Sequence, residues 1–322
     1  MTISVALCTY NGEKYLQAQL ESLFKQTLPI DELIICDDHS NDHTHNIINE
    51  FKRIYPNSIK IVTNQINLGV KKNFEKAIQL TNKDVIFLCD QDDIWPENKV
   101  EKIINAFELN PDIMGVFTNG ILIDENNNPT GLNLWESFLY SPSMQSQLDK
   151  NVLFEMILRY LPLITGASLA FKRIAINNVL PIKKNIFWHD EWIGYNLAAD
   201  NLLLPLNEPL LCYRIHPDQI VGIYKDNVET IKERCQDYFL KRIVPGNEKI
   251  YIHELFIRLQ KARMICNSIN KKKNLLNILE LEFKYEKNRS LTMMPLFKRK
   301  LILLKWILEN RFETSLREFF FT

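Results

Sequence analysis

DVIFLCDQDDIWP, residues Asp84 to Pro96, passes within a few positions from an apolar run to a cluster of carboxylates. Val85 to Cys89 is continuous apolar sequence of strand length. Asp90, Gln91, Asp92 and Asp93 follow. Three carboxylates in four residues repel one another unless a positive charge sits among them. A hard divalent cation meets that need: Mg²⁺ or Mn²⁺ takes oxygen ligands, commonly one or two carboxylates plus substrate phosphates. Ligands of open α/β sheets bind beyond the carboxyl ends of the strands. One reading is therefore a metal–diphosphate site with Asp90 and Asp92 as the pair. The other is a solvated turn that starts the next helix, with an Asp near its N-terminus.

Upstream, strands alternate with helices. Ile3–Cys8 is a short buried strand, and Thr9, Tyr10, Asn11 and Gly12 form a turn. A helix is expected from about Glu13 to Gln26, with Leu16, Leu20, Leu23 and Phe24 at helical spacing. Leu33–Cys36 is the second strand. It runs into Asp37, Asp38, His39, Ser40, Asn41 and Asp42, the last of which are good caps for a helix to about Tyr55. Ile59–Thr63 is the third strand, and a helix to about Leu80 follows Asn67-Leu68-Gly69. Downstream of the acidic stretch come a helix from Glu97 to Leu109, then two strands near Met114–Thr118 and Ile121–Asp124. This alternation is a doubly wound α/β pattern with a parallel sheet. It carries neither GxGxxG after the first strand nor GxxxxGK[ST], which excludes the glycine-rich dinucleotide fold and the P-loop.

Residues 125–150 are polar and turn-rich, as expected of a surface excursion over the active face. Leu163–Phe171 is a strand with a Gly-Ala-Ser break, a helix to about Ala199 follows Trp188-His189-Asp190-Glu191-Trp192, and Leu210–Ile215 is a late strand ending in His216-Pro217. Beyond Tyr224 basic amphipathic helical segments dominate. Residues 225–322 hold 21 Lys+Arg against 12 Asp+Glu, whereas residues 1–224 hold 18 against 27, so a chain of zero net charge has an acidic front and a basic tail. Two regions are expected, 1–224 and 225–322. The six cysteines form no CxxC pair and read as reduced, buried thiols of a cytoplasmic protein. No basic leader precedes the first strand and no apolar run reaches ~18 residues, so neither a signal peptide nor a membrane span is expected.

Several residues carry a chemical and a structural reading side by side. Tyr10 can stack on a base or pack in the core. Asp37 and Asp38 can accept from a nucleobase imide and a ribose hydroxyl, or cap a helix. Lys71, Lys72 and Asn73 sit on the first turn of a helix, where cations and backbone N–H groups can meet a diphosphate or simply face solvent. Asp190 and Glu191 lie between two indoles, which suits a general base of raised pKa, or they start a helix whose tryptophans are core. His216 can ligate a metal or be a hydrogen-bonded structural histidine. A calcium loop from Asp38 fails because His43 and Asn49 stand where Gly and Glu are needed. His39 and His43 have helical spacing but no third zinc ligand near.

Seven ordered stretches carry a family resemblance: SVALCTYNGEKYLQAQLESLFKQT, LIICDDHSNDHT, NQINLGVKKN, FLCDQDDIWPENKV, ITGASLAFKR, WHDEWIG and YRIHPDQIVG. Residues 1–224 resemble the family 2 glycosyltransferases, inverting GT-A enzymes that use nucleotide sugars. The forms DQDDIW, HDEW and YRIHPDQ are most similar to bacterial polysaccharide rhamnosyltransferases that use dTDP-L-rhamnose, with UDP-hexoses as the alternative donors. The resemblance implies a mixed, mostly parallel sheet flanked by helices, with a helical C-terminal extension. It implies that Tyr10 and Asp38 hold the base with Asp37 nearby, and that Lys71 and Asn73 lie near the diphosphate. Thr9, Asn11, Asn67 and Gly166 complete the nucleotide-sugar set. Asp90 would touch ribose or metal, Asp92 would bind Mg²⁺ or Mn²⁺ with His216, and Asp190 would be the general base, with Glu191 the neighbouring candidate.

The implied partners are a nucleotide sugar and a saccharide or lipid-linked saccharide acceptor. The basic segment Phe297–Ile307 suits an anionic inner membrane face, or a helix packed on the protein's own body or on a second subunit of a homo-oligomer. A non-catalytic nucleotide- or glycan-binding module is the rival reading. Nucleic acid is not an expected partner, because the acids of the tail are interspersed and no nucleic-acid motif occurs.

Overall fold

The computed structural model describes residues 1–138, 140, 145–159, 163–182 and 188–219, together with positions 263, 266, 277, 280 and 284. The chain divides into two units, Met1–Gln236 and Asp237–Thr322. The expected boundary at 224/225, the basic segment Phe297–Ile307 and nearly all of the C-terminal helices lie outside the described residues. In the second unit, Arg263 Nε donates to Glu280 Oε1 at 2.8 Å.

Among the described residues, eight strands form one mixed sheet: β1 Ile3–Thr9, β2 Glu32–Asp37, β3 Ile59–Thr63, β4 Val85–Cys89, β5 Gly115–Ile123, β6 Pro129–Asn133, β7 Leu169–Lys172 and β8 Leu203–Arg214. Among the described residues up to 219 the helices are α1 Leu16–Phe24, α2 Thr44–Ile54, α3 Val70–Leu80, α4 Lys99–Leu109, α5 Leu134–Ser137, α6 Leu153–Arg159, α7 Ile176–Val179 and α8 His189–Ala199. The order is β3-β2-β1-β4-β7-β5-β6, with β8 along the other edge of β5. β3, β2, β1 and β4 are parallel, β7 is antiparallel to both β4 and β5, and β5 and β8 are parallel. Every residue of β1 and β4 is buried, which is why these strands read as unbroken apolar runs rather than alternating ones.

The connections β1–β2–β3 move one way along the sheet, and β4 lies on the other side of β1. The carboxyl ends of β1 and β4 therefore flank a topological switch point, the place where open α/β sheets bind ligands. The turn into α3 needs a glycine: Gly69 sits at φ 80° and ψ 156°, a conformation that side chains resist.

Three expectations are corrected. The strands expected near 114–118 and 121–124 are one strand, β5. Asn119 Oδ1 accepts from Gly120 N and Trp135 N, and Gly120 lets the strand pass close to Leu211, where a Cβ would lie 2.6 Å from the carbonyl oxygen. The polar stretch after Asp124 is not wholly a surface excursion. It turns back as β6 and buries Trp135 and Tyr140. The Gly-Ala-Ser break is a 3₁₀ turn, Gly166–Ser168, that precedes β7. Cys8, Cys36, Cys89, Cys212 and Cys266 are free thiols. Among the described residues no helix is long and apolar enough to cross a membrane.

Candidate active site

At the carboxyl ends of β1 and β2 the chain is stitched by side chains. Asn11 adopts φ 48°, which asparagine tolerates. Its Oδ1 accepts from Asn41 N, and its own N–H donates to Ser40 Oγ. Asp37 is fully buried, accepts from the Ser40 N–H and hydroxyl, and pairs with His45 Nε2 at 3.2 Å. Asp38 is also buried. Its oxygens accept from Asn64 Nδ2, Leu68 N and Gly69 N at 2.7–2.8 Å, while Asn67 Nδ2 donates to its carbonyl. Asn73, also buried, accepts from Asn64 and donates to the Cys36 carbonyl. Asp38, Asn67 and Asn73, three of the expected ligand residues, thus hold the loop between β3 and α3 against the end of β2. Tyr10, by contrast, is 40% exposed at the mouth.

The acidic stretch after β4 folds against the end of β8. Ile94 and Cys212 form an antiparallel bridge. That contact sets Arg214 behind the carboxylates: its N–H donates to Asp93 Oδ1 at 3.0 Å, and its Nε donates to the Asp92 carbonyl at 2.6 Å. The guanidinium lies 4.6 Å from the Tyr15 ring centroid, and Tyr15 packs 4.8 Å from the His216 ring. His216 Nε2 lies 2.9 Å from Asp92 Oδ2. Lys99 is buried below, donating to the Ala167 carbonyl at 2.5 Å. Burial, then the charges of Asp92, Asp93 and Asp190, push the Asp90 carboxyl well above the usual carboxylate range. Burial and Asp92 push Asp93 up to about 8, and burial pulls Lys99 down to about 8. A fully buried charge is tolerated only when paired, so Arg214 and Lys99 are the fold's own counter-ions to this cluster.

Helix α8 brings the third component. Asp190 stands in its first turn, where Oδ2 accepts from Gly166 N at 2.8 Å and Oδ1 from Glu191 N at 2.7 Å. Glu191 is buried and accepts from the Trp188 N–H at its own helix N-terminus. His189 is stacked on Phe74 at 3.8 Å, and burial, with Lys71 nearby, pulls its pKa down to about 3. A Cβ on Gly166 would lie 2.6 Å from His189 Nε2. Lys71 sits 5.5 Å from the Trp188 ring.

Asp92 and His216 are thus in contact, Asp90 belongs to the same carboxylate cluster and feels the charge of Asp190, Gly166 holds Asp190, and Lys71 lies by Trp188. Thr9 and Tyr10 are tied to the same acidic stretch through Gln91. Three members of this assembly were not singled out from the sequence: Gln91, Lys99 and Arg214. Gln91 lay inside the quoted acidic stretch and Arg214 two residues before His216, but nothing local marks them. Among the described residues no three of His, Cys, Asp and Glu converge as a ready-made metal cage. The donor set still fits a divalent cation whose remaining ligands are phosphates and water: the Asp92 carboxylate touching an imidazole, beside Asp90 and Asp93, whose carboxyls are held above their usual range.

Residues 4–157 match the family model described as Glycosyl transferase family 2. An uncharacterised glycosyltransferase of Nostoc sp. is 29% identical over 218 residues, covering 67% of this chain and 65% of the relative. The dTDP-rhamnosyl transferase RfbG of Shigella flexneri is 29% identical over 230 residues, 67% of this chain and 73% of that protein. The UDP-Glc:alpha-D-GlcNAc-diphosphoundecaprenol beta-1,3-glucosyltransferase WfgD of Escherichia coli is 32% identical over 124 residues, 38% of this chain and 47% of that protein. The chain thus spans about two thirds of the length of the first of these relatives. In fold it is similar to S. aureus TarS 1-349 in complex with UDP, with TM-score 0.55, 15% identity, and 98% and 93% of the two chains covered. It is also similar to the mannosyltransferase PcManGT from Pyrobaculum calidifontis in complex with GDP-Man and Mn²⁺, with TM-score 0.50, 12% identity, and 97% and 81% covered. With a mixed sheet, an acidic loop at its switch point and these likenesses, residues 4–157 are similar to a glycosyl transferase family 2 domain, and the sheet has the GT-A fold.

Proposed function

We propose that the chain transfers a sugar from a nucleoside diphosphate sugar to a saccharide hydroxyl, with inversion and with Asp190 as general base. The observation that carries this reading is the placement of Asp190 beside the acidic loop: its carboxylate accepts from Gly166 N, while Lys99, which follows that loop, donates to the carbonyl of the next residue, Ala167. A base and a diphosphate-leaving-group site must share one cleft for a single displacement. Asp190 is also oriented, each oxygen holding one backbone N–H, which is the preorganisation a base requires. Glu191 is spent on its helix end, which favours Asp190 of the two.

Asp190 takes the proton of the acceptor hydroxyl. The hydroxyl oxygen bonds to the anomeric carbon as the bond to the diphosphate oxygen breaks on the opposite face, and the electron pair leaves with the nucleoside diphosphate. Asp92 and His216 would hold a divalent cation, Mn²⁺ suiting an imidazole better than Mg²⁺, which supplies neutralisation of the diphosphate charge. Tyr10 offers its exposed ring to the base.

The likeness to RfbG favours a dTDP-sugar, with rhamnose tried first. The likeness to WfgD supports a UDP-hexose as the second choice. The test is calorimetry with dTDP, UDP, GDP and CMP, with and without Mn²⁺, followed by transfer from the matching sugar nucleotide and NMR assignment of the product anomer. Metal-dependent binding of dTDP or UDP and an inverted product are expected. Retention of configuration would remove Asp190 from its role, and a folded protein that binds no nucleotide would overturn the donor site.

A further inference from the structure

Gln91 stands between the two carboxylates of Asp90-Gln91-Asp92, and its amide bonds to the end of β1 and the turn that follows it. Oε1 accepts from Thr9 Oγ1 at 2.6 Å and from Tyr10 N at 2.8 Å, and Nε2 donates to the Tyr10 carbonyl at 3.1 Å. A side-chain amide that exchanges both bonds with one residue's N–H and C=O imitates a paired residue of a sheet ladder. β1 and β4 are paired up to Leu7 and Cys89. The Gln91 side chain therefore continues the contact between these two strands past their ends, across the switch point where backbone pairing has stopped.

The space for this amide is made by Gly12. A Cβ there would lie 2.5 Å from Gln91 Oε1 and 2.8 Å from Thr9 Oγ1. Gln91 and Gly12 are two sides of one contact. The acidic loop has separate supports: the Ile94–Cys212 bridge and the Arg214 bond to the Asp92 carbonyl do not pass through Gln91.

We infer that Gln91 is a positioning residue that fixes the Tyr10 peptide at the base end of the cleft, rather than a ligand of the diphosphate. The inference rests on the nucleotide-sugar reading above, with Tyr10 at the base. Its amide fixes the Tyr10 main chain and leaves the ring exposed, so the ring is presented in one place. Losing the amide frees that peptide while the Asp92–His216 end keeps its own supports. The two halves of the nucleotide then respond differently, which a general loss of structure would not produce.

The test uses the full chain and two half-ligands: the nucleosides thymidine and uridine for the base end, and pyrophosphate with Mn²⁺ for the other. Each is titrated by ligand-observed NMR against the wild type, Gln91→Ala, Gly12→Ala and the double variant, with melting temperatures measured alongside. In Gln91→Ala nucleoside affinity is expected to fall about tenfold, the scale of one or two lost hydrogen bonds, while pyrophosphate–Mn²⁺ affinity stays within about twofold. Gly12→Ala pushes on the same amide and gives the same split, and in the double variant it adds little. Should Gln91→Ala fail to fold, Gly12→Ala alone carries the comparison. An equal fall for both half-ligands, an unchanged nucleoside affinity, or additive losses in the double variant would each overturn the inference. A wild type that binds neither half-ligand nor dTDP or UDP overturns the underlying reading instead.

Discussion

Asp92 Oδ2 and His216 Nε2 lie 2.9 Å apart, although 124 residues separate them. The contact exists because β8 returns along β5 and bridges Ile94 through Cys212, which delivers Arg214 and then His216 to the acidic loop.

His216→Ala and Asp92→Asn each remove one of the two touching donors. Mn²⁺ affinity in the presence of saturating dTDP or UDP is expected to drop about 10- to 100-fold in His216→Ala, the scale seen when groups that tune a metal site are lost. Nucleotide binding in EDTA should change little. Calorimetric titration of Mn²⁺ checks both, and unchanged Mn²⁺ affinity in both variants would remove this pair from the metal assignment.

Asp190 and Glu191 are neighbours with different work. Asp190→Asn should lower kcat by about 10²–10⁴ or more, with nucleotide affinity within about twofold. Glu191→Ala should instead cost about 1 kcal/mol of stability through its lost bond to the Trp188 N–H, leaving transfer measurable. Steady-state kinetics and urea unfolding on the two variants separate the roles.

Gly166→Ala places a methyl 2.6 Å from His189 Nε2 and 3.7 Å from Asp190 Cβ. His189 is packed flat against Phe74 and has little room to retreat. A loss of about 1–3 kcal/mol is expected from overpacking, with kcat falling as the Asp190 anchor at Gly166 N shifts. An urea midpoint and kcat equal to wild type would show that the neighbourhood adjusts freely.

His189 gives stability a pH dependence of known sign. Its folded-state pKa is pulled down to about 3 from 6.5, so between those values the unfolded chain binds a proton that the native one does not. Stability from this group is complete above about pH 6.5 and is lost as pH falls, by ~1.4 kcal/mol per unit at most. His189→Phe keeps a ring on Phe74 and removes the titration. Urea midpoints at pH 7.5 and 5 should therefore converge in the variant relative to wild type.

Much of the front of this fold was legible without coordinates. Ile59–Thr63 and Val85–Cys89 form strands with the bounds their apolar runs suggest, and α8 ends at Ala199 as its pattern implies. Buried parallel strands and capped helices are properties of short segments, so short segments announce them. β5 was harder to read, because Asn119-Gly120 looks like a break until Trp135 N and the passing strand at Leu211 give it partners. Trp135 and Tyr140 were hidden in a polar stretch whose apolar positions show no period.

The sequence alone determined that carboxylates end a buried strand, that indoles flank Asp190 and Glu191, and that a histidine closes the late strand. These are local facts of order and spacing. Only the tertiary structure decided that Asp38 holds the loop at Leu68 and Gly69, that Gln91 clasps Tyr10, and that Arg214 and Lys99 are the buried cations among the acids. The reason is electrostatic and steric. A charged or amide side chain can be buried wherever partners converge on it, and those partners come from strand ends tens to more than a hundred residues away, brought together only when the sheet has closed.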